Sequence, residues 1–235
     1  MGPLVIVQAR MGSKRLPGKV LLPFGGTTLL RFILRRLART GLHVVVATTT
    51  LDEDEPVAAE AADVGAGVFR GAAEDVLGRF AACLGSMPDA PELVVRVCAD
   101  RPFVCPTLLG ELLERYEQVG SPDYLSNTIV RSYPVGLDLE LVRTRALLEA
   151  NDAATDPYER EHVTPFVYRR PERFTLRDVT NPYGNFSHVR AVVDTQADYD
   201  ALSTLEQRLT ARREDHDHCD LLNAAILEPE RFPHE

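Results

Sequence analysis

The first half of the chain alternates short apolar runs with segments of helical character, and this pattern constrains the fold more than any other feature. The apolar runs, each short enough for a buried strand, are residues 4 to 7, 43 to 48, 68 to 69 and 93 to 98. The segments that predict helices are residues 29 to 37, 53 to 63, 74 to 85 and 107 to 119. Strands that alternate with helices favour right-handed crossovers, so we predict an α/β fold whose mostly parallel sheet carries helices on both faces.

The second half lacks this regular alternation, and its pattern predicts a mixed α+β extension of that sheet. Its strand-like runs lie within residues 123 to 141 and 174 to 193, and its helical runs are residues 143 to 150 and 156 to 169. A helix over about 196 to 212 is expected to close the fold, and residues 214 to 235 to form a tail. Because no internal repeat, low-complexity tract or linker is evident, we predict a single domain over residues 1 to 235.

Composition limits the class of protein. The 235 residues are 45% hydrophobic and 26% charged, a globular composition, and no apolar run approaches the roughly 18 residues that a membrane helix requires. A net charge of −9 argues against nucleic acid as a partner, because binding a phosphate backbone needs a broad basic face. The four cysteines show no CxxC pairing, and residues 4 to 7 are too short for a signal-peptide core. We therefore expect reduced thiols, no membrane contact and a cytoplasmic location.

One short segment runs against this acidic balance. Residues 8 to 19, QARMGSKRLPGK, contain Arg10, Lys14, Arg15 and Lys19 and no acid. The glycines and proline in this basic loop oppose helix formation, and glycine lets backbone N–H groups approach phosphate oxygens closely. The loop therefore predicts a triphosphate site. A solvated basic turn is the alternative, which the preceding strand and the internal glycines disfavour.

The spacing excludes the commonest phosphate-binding motifs. Gly12 and Gly18 are separated by five residues rather than four, and Lys19 is followed by Val20, where a Walker loop needs Ser or Thr for Mg²⁺. The sequence also lacks the GxGxxG pattern of dinucleotide-binding proteins. We therefore predict neither a P-loop ATPase nor a dinucleotide-binding enzyme.

Two aspartates follow strand-like runs. Asp100 ends the run LVVRVCA, and Asp194 ends RAVVD before a helix that Thr195 could cap. In parallel sheets ligands bind beyond the carboxyl ends of the strands, so we expect both carboxylates beside the basic loop. Two carboxylates next to a polyphosphate site can hold Mg²⁺, which prefers oxygen ligands. The alternative is that Asp100 caps a helix and Asp194 is a turn residue.

Over about residues 4 to 205 the sequence resembles the spore coat polysaccharide type of cytidylyltransferase. The matching segments, in chain order, are QARMGSKRLPGKVLLPFGG, FRGAAEDVLGRF, CADRP, RSYPVGLDLE, REHVTPFVYRRPERF and VVDTQADYD. This group is related to CMP-Kdo synthetase and acylneuraminate cytidylyltransferase. The resemblance implies a Rossmann-like nucleotidyltransferase sheet. It further implies that CMP is transferred from CTP to an acidic acceptor, a nulosonic-type sugar or a phosphonate, with Mg²⁺ as cofactor and release of pyrophosphate.

The resemblance also implies roles for individual residues. Arg10, Lys19 and Asp100 would be catalytic, and the metal ligands would be Asp100 and Asp194. The nucleotide would be bound by Gln8, Ala9, Arg10, Met11, Gly12, Lys14, Lys19, Arg70 and Asp75. The acceptor would be bound by Arg101, Arg131, Tyr133, Arg160 and His162. Relatives are commonly homodimers, so residues of about 130 to 175 are expected to bind the acceptor or form a dimer interface.

The sequence departs from the family pattern next to the metal aspartate. Ala99 stands where Gly is usual, and Arg101 stands where Cys or Glu is frequent. Arg101 could read an anionic acceptor or pair with a nearby carboxylate, and the sequence leaves both interpretations open.

Two other classes of function remain alternatives. A glycosyltransferase that uses a nucleotide sugar would also place a carboxylate on a metal, but it would not need a dense basic loop directly after the first strand. A non-catalytic nucleotide-binding assembly protein could keep the sheet and dispense with both aspartates. The loop and the aspartates together therefore favour nucleotidyl transfer.

Overall fold

A computed structural model describes residues 2–212 and 216–233, and a seven-stranded sheet forms its centre. The strands are β1 (Leu4–Gln8), β2 (Pro23–Phe24), β3 (Thr27–Thr28), β4 (His43–Thr49), β5 (Gly67–Gly71), β6 (Leu93–Cys98), β7 (Tyr124–Ser126), β8 (Glu140–Arg143) and β9 (Leu176–Asp178). The spatial order is β5-β4-β1-β6-β8-β7-β9, and β2 and β3 form a separate hairpin. The sheet thus has β1 at its middle, between β4 and β6.

The strands run mostly in one direction, as predicted. β1 is parallel to both β4 and β6, with Val5 opposite Val44 and Val95. β4 is parallel to β5, and β7 is parallel to β9. Only β8 is reversed within the sheet, since it is antiparallel to both β6 and β7. The predicted mixed extension in the second half corresponds to β7, β8 and β9.

Helices cover the sheet on both sides. They are α1 (Leu29–Ala38), α2 (Glu55–Asp63), α3 (Val76–Gly85), α4 (Pro106–Gln118), α5 (Thr144–Ala153), α6 (Pro157–His162), α7 (Pro165–Tyr168), α8 (Gln196–Arg212) and α9 (His218–Leu227). Successive side chains of a strand point to opposite faces, so β1 contributes to an apolar core on each face of the sheet. Val5 and Val7 pack in one core, together with residues of α1, α4, α8 and α9. Leu4 and Ile6 pack in the other, together with residues of α3, α5 and α7. The prediction of helices on both faces is confirmed.

Two parts of the second half differ from the sequence prediction. The run that ends in Asp194 is not a regular strand, since Arg190 forms an isolated bridge with Val135, and Val193 donates to the carbonyl oxygen of Asp100 at 2.9 Å. The described part of the predicted tail folds back as α9, whose apolar residues belong to the core shared with β1. No helix among the described residues has the length and apolar character needed to cross a bilayer.

Candidate active site

The basic loop leaves β1 at the carboxyl edge of the sheet and is closed on itself. The backbone N–H groups of Ser13 and Gly18 both donate to the carbonyl oxygen of Met11, at 2.7 and 3.0 Å. Gly18 has a φ of 70°, in the left-handed region that glycine adopts at no steric cost. The N–H of Met11 donates to Oδ1 of the buried Asp54 at 2.5 Å, which fastens the loop to the segment after β4.

Lys19 joins three parts of the chain. Its side chain is 10% exposed, and its Nζ donates to Asp100 Oδ2 at 3.0 Å, to the carbonyl oxygen of Val193 at 2.7 Å and to Asp194 Oδ1 at 3.4 Å. The loop after β1, the turn after β6 and the approach to α8 therefore meet at one ammonium group. The predicted convergence of the basic loop with both aspartates is present.

Asp194 is held at this point by its neighbours on both sides. Its carboxylate forms ion pairs with Arg15 and, at 3.4 Å, with Arg190. Thr195 caps α8 as expected, because its Oγ1 accepts from the N–H of Asp198 at 3.2 Å and Asp198 accepts from the N–H of Thr195 at 2.8 Å. The backbone that carries Asp194 is thus fixed by a helix cap.

The two aspartates fit a shared cation. Asp100 Oδ2 and Asp194 Oδ1 both lie within hydrogen-bonding distance of the same Lys19 ammonium, so one positive group can be reached by both carboxylates. Carboxylate oxygens are the ligands that Mg²⁺ prefers, and two protein carboxylates leave its other positions for water and phosphate oxygens. The Arg15 side chain is 68% exposed, which leaves it room to swing away from Asp194.

A first cavity, of about 490 Å³, opens over the point where Lys19, Asp100 and Asp194 meet. The predicted site residues that line it are Gln8, Ala9, Arg10, Gly12, Lys14, Lys19, Asp100, Asp194 and His162. Residues of the wall to which the sequence analysis gave no role include Ser13, Val76, Arg79, Cys98 and Glu161. The cavity is therefore cationic on the side of the basic loop, and its wall also carries three carboxylates, those of Asp100, Glu161 and Asp194.

Met11 and Arg70, which are predicted to bind the nucleotide, lie outside the wall of this cavity. Met11 packs on the apolar core and contributes its backbone to the loop. Arg70 points toward the segment after β4. Its Nε donates to the carbonyl oxygen of Thr49 and its Nη2 donates to the carbonyl oxygen of Leu51, both at 2.9 Å. The Arg70 guanidinium also forms an ion pair with Glu55. These contacts all lie within the segment from the end of β4 to the start of α2.

Asp75 and Arg160, predicted to bind nucleotide and acceptor respectively, bind each other. Asp75 caps α3 by accepting from the N–H of Gly78 at 2.8 Å, and it forms an ion pair with Arg160. Burial raises the pKa of Asp75, but Arg160 and the Gly78 N–H outweigh burial and leave the pKa lowered. Arg160 also donates to the carbonyl oxygen of Asn151 at 2.7 Å. Both residues line a third hollow, of about 340 Å³, which shares Arg10, Val76 and Glu161 with the first cavity, and their roles in binding nucleotide and acceptor stay predictions.

A second cavity, of about 360 Å³, lies on the other side of His162, which lines both cavities. Its wall consists of Arg96, Arg101, Thr128, Ile129, Arg131, Asp138, Glu140, Tyr158, His162, Thr164, Pro165 and Tyr168. Three predicted acceptor residues, Arg101, Arg131 and His162, are among them. The imidazole of His162 packs against the Tyr158 ring, with centroids 4.3 Å apart, and burial lowers its pKa.

The arginines of the second cavity are paired with buried carboxylates. Asp138, whose side chain is 5% exposed, contacts Arg101 Nη1 at 3.1 Å and receives two hydrogen bonds from Arg131, at 2.5 and 3.2 Å. Burial opposes ionisation of Asp138, but the two guanidinium groups outweigh burial and lower its pKa. Of the two interpretations of Arg101, pairing with a carboxylate is the one that the structure shows.

A second ion pair forms the inner wall. Arg96 pairs with Glu140, and its Nε donates to Gln8 Oε1 at 3.1 Å. Glu140 also accepts from the Tyr124 hydroxyl at 2.7 Å and from the Thr164 hydroxyl. Because Gln8 lines the first cavity, this network connects the walls of the two cavities.

Tyr133, which is predicted to bind the acceptor, is a core residue. It is 2% exposed, packs in the core with α9, and lies outside the wall of the second cavity. Burial raises the pKa of its hydroxyl to about 12. The ring is therefore buried in the core, and a contact of Tyr133 with the acceptor stays a prediction.

Comparison with known proteins agrees with the resemblance seen in the sequence. The cytidylyltransferase family model matches residues 4–215. The chain is 33% identical over 218 residues to the spore coat polysaccharide biosynthesis protein SpsF of Bacillus subtilis, a match that covers 89% of this chain and 88% of that protein.

Solved structures show the same fold. A cytidylyltransferase from Leptospira borgpetersenii serovar Hardjo-bovis superposes with a TM-score of 0.88 at 29% identity, covering 100% of this chain and 97% of that one. A CMP:2-keto-3-deoxy-manno-octonic acid synthetase complexed with CTP has a TM-score of 0.66 at 17% identity, with coverage of 88% and 99%. With the basic loop, the paired aspartates and these matches taken together, the chain belongs to the cytidylyltransferase family of nucleotidyltransferases.

Proposed function

We propose that this nucleotidyltransferase uses CTP and joins CMP to an acidic acceptor, either a nulosonic-type sugar or a phosphonate, with release of pyrophosphate. The observation that carries the proposal is the pair of cavities that share His162. One has the cations and carboxylates that a metal-bound triphosphate requires, and the other has polar and charged walls suited to a small acceptor. The solved relative complexed with CTP supports the choice of nucleotide.

The reaction is a substitution at phosphorus. A bond forms between an acceptor oxygen and the α-phosphorus, while the bond from that phosphorus to the bridging oxygen of the β-phosphate breaks and its electron pair leaves with pyrophosphate. Any proton on the acceptor oxygen passes to solvent or a nearby base. Such transfers need positioning and electrostatic stabilisation more than covalent chemistry from the protein.

The basic loop supplies that stabilisation. Negative charge grows on the departing pyrophosphate, so cations placed in advance stabilise the transition state more than the ground state. Arg10, Lys14 and Lys19 line the first cavity and are the groups that we assign to the triphosphate. Asp100 and Asp194 would hold Mg²⁺, which when bound would neutralise phosphate charge and orient the α-phosphoryl group.

The second cavity is the assigned acceptor site. Its three arginines and two buried carboxylates, Asp138 and Glu140, leave an excess of cationic groups, which favours an acceptor that carries negative charge. Arg131 is the arginine best placed to contact it, since its side chain is 31% exposed, against 19% for Arg101 and 8% for Arg96. A guanidinium fork can hold a carboxylate or a phosphonate with two hydrogen bonds.

A pyrophosphate-release assay tests the proposal. The purified protein is incubated with Mg²⁺, one nucleoside triphosphate and one member of a panel of acidic sugars and phosphonates. Pyrophosphate should appear with CTP and an acidic acceptor, and should fall sharply with ATP, GTP or UTP. Equal use of a purine triphosphate would contradict the assignment of CTP, and release with neutral sugars alone would contradict an acidic acceptor.

Membership of the cytidylyltransferase family favours this function over both alternatives, the glycosyltransferase and the non-catalytic assembly protein. Three expectations stay predictions: that the protein forms a homodimer, that residues 130 to 175 contribute to the dimer interface, and that the protein is cytoplasmic. Size-exclusion chromatography with light scattering would test the first of them.

A further inference from the structure

Arg79 is a buried arginine in the wall of the first cavity. It lies on α3, where Val76, Phe80 and Cys83 form part of an apolar core, and it is 2% exposed. Its aliphatic stem is fixed against β5, because a β-carbon at Gly71 would lie 3.0 Å from Arg79 Cγ. The guanidinium therefore reaches the cavity from a rigid support rather than from a mobile loop.

This guanidinium has no carboxylate partner among the described residues. Nη1 donates to the carbonyl oxygens of Ala72 and, at 3.4 Å, Ala73, while the buried Nε has no hydrogen-bond partner. The nearest acids are engaged elsewhere: Asp54 accepts from Met11 and Thr49, and Asp75 pairs with Arg160. A buried charge without a counter-ion is costly unless a ligand provides one.

A second cation stands beside it. Arg10 donates to the same Ala73 carbonyl oxygen, at 3.4 Å, so two guanidinium groups converge on one acceptor at the cavity wall. Burial, followed by the nearby Arg10, lowers the pKa of Arg79 from its ordinary value. Arg10 and Arg79 lie close together and neither forms an ion pair with a carboxylate among the described residues, so the missing component of this site is an anion from outside the chain.

We propose that Arg79 is a nucleotide-binding residue whose guanidinium, together with Arg10, contacts a phosphate group of the nucleoside triphosphate in the first cavity. This inference rests on the proposed function for the identity of the ligand, but inorganic pyrophosphate serves as a simpler probe of the same chemistry. The binding role also accounts for an arginine where the apolar face of α3 would otherwise favour leucine or methionine.

The matched variants are Arg79→Met and Arg36→Met. Both replace a buried arginine by an apolar side chain of similar length, but Arg36 lies on α1, donates to the carbonyl oxygens of Val104 and His216, and is outside the cavity wall. Calorimetric titration with CTP and with pyrophosphate, each with Mg²⁺, is compared with thermal unfolding of the ligand-free proteins.

Arg79→Met is expected to weaken binding of both ligands at least ~10-fold, roughly the loss of one charge-assisted contact, while the Tm of the ligand-free protein stays the same or rises. Arg36→Met is expected to lower the Tm and leave both affinities unchanged. Arg79→Lys, which keeps the charge but not the planar fork, should bind with intermediate affinity.

An Arg79 that serves only to hold the turn at Ala72 and Ala73 would give the reverse pattern, with a lower Tm and unchanged affinities, and would overturn the inference. If Arg79→Met does not fold, Arg79→Lys decides, and an affinity within about twofold of the wild type overturns it. Wild-type protein that binds pyrophosphate but prefers another nucleotide to CTP would contradict the proposed function alone. Wild-type protein that binds neither ligand would contradict both.

Discussion

The two cavities on either side of His162 use arginine in opposite ways. In the first, Arg10, Lys14 and Arg79 form no ion pair with a carboxylate among the described residues, so much of the positive charge is left for a ligand. In the second, the arginines pair with Asp138 and Glu140, so most of the charge is already balanced by the protein.

Under the proposed function, this contrast suits a protein that binds two anions of unequal charge. A triphosphate is highly charged and calls for cations that the protein has left uncompensated. A smaller acceptor needs orientation more than neutralisation, and an arginine held by a buried carboxylate is pre-organised for that task. We therefore expect variants of the first cavity to have larger effects than variants of the second.

The largest effect is expected from Asp100→Asn. Loss of metal-mediated stabilisation is worth several kcal/mol, so turnover should fall at least ~100-fold, and Asp194→Asn should behave likewise. The control is Asp200→Asn, which removes an exposed carboxylate of α8 that accepts from Gln196. Circular dichroism checks folding, and near-wild-type turnover in a folded Asp100→Asn protein would exclude this residue from the metal site.

A smaller loss is expected from Lys19→Met. Its ammonium faces the cavity between two aspartates, so its removal should weaken CTP binding about 10- to 50-fold and reduce the salt dependence of what remains. Calorimetric titration at two ionic strengths measures both. Arg35→Met, on the exposed surface of α1, is the matched control, and an unchanged CTP affinity together with unchanged turnover would remove Lys19 from the triphosphate site.

Arg131→Ala should act on the acceptor only. We expect its KM for an anionic acceptor to rise about 10-fold while CTP affinity is unchanged, as loss of one charge-assisted contact implies. Arg160→Ala is the comparison. Arg160 holds Asp75 and Asn151, so its loss should lower the free energy of unfolding by about 1 to 3 kcal/mol and leave the KM for acceptor unaltered. The opposite pattern in this pair of variants would show that Arg160 reads the acceptor.

The smallest effect concerns pH. Burial lowers the pKa of His162 below its usual value, and the positive charges of Arg96 and Arg169 lower it further. The carboxylates of Glu161 and Glu140 act in the opposite direction but do not outweigh these effects. The imidazole should therefore be mostly neutral from about pH 7 to 8, and the KM for acceptor should change less than about twofold over this range. An NMR titration with His162→Gln as the assignment control would follow the ring, and protonation within that range would contradict a fixed charge in the second cavity.

The sheet and the position of the basic loop could be predicted from the sequence because they depend on local patterns. Apolar runs and helical spacing are read over ten or so residues, and parallel strands bring their carboxyl ends together wherever they occur. Asp100 and Asp194 could be placed for that reason, although the run before Asp194 forms only an isolated bridge.

The partners of individual side chains could not be predicted in this way. Asp75 and Arg160 are 85 positions apart and meet only because α3 packs against α6. Arg79 and Arg96 each interrupt an apolar run, in VLGRF and LVVRVC, and a charge in such a position is the signal that could have marked them as candidate site residues. The burial of Tyr133 carried no such signal, because Arg131, only two residues before it, lines the second cavity.

The contact between α1 and the segment before α9 has a consequence for how the chain folds as it is made. Arg36 reaches His216, 180 positions further on, and α9 then completes the core on that face of the sheet. Because contacts so distant in sequence form late, the N-terminal half leaves the ribosome with one apolar face uncovered. The synthesis of α9 thus ends the interval in which chaperones, or other nascent chains, have access to that face.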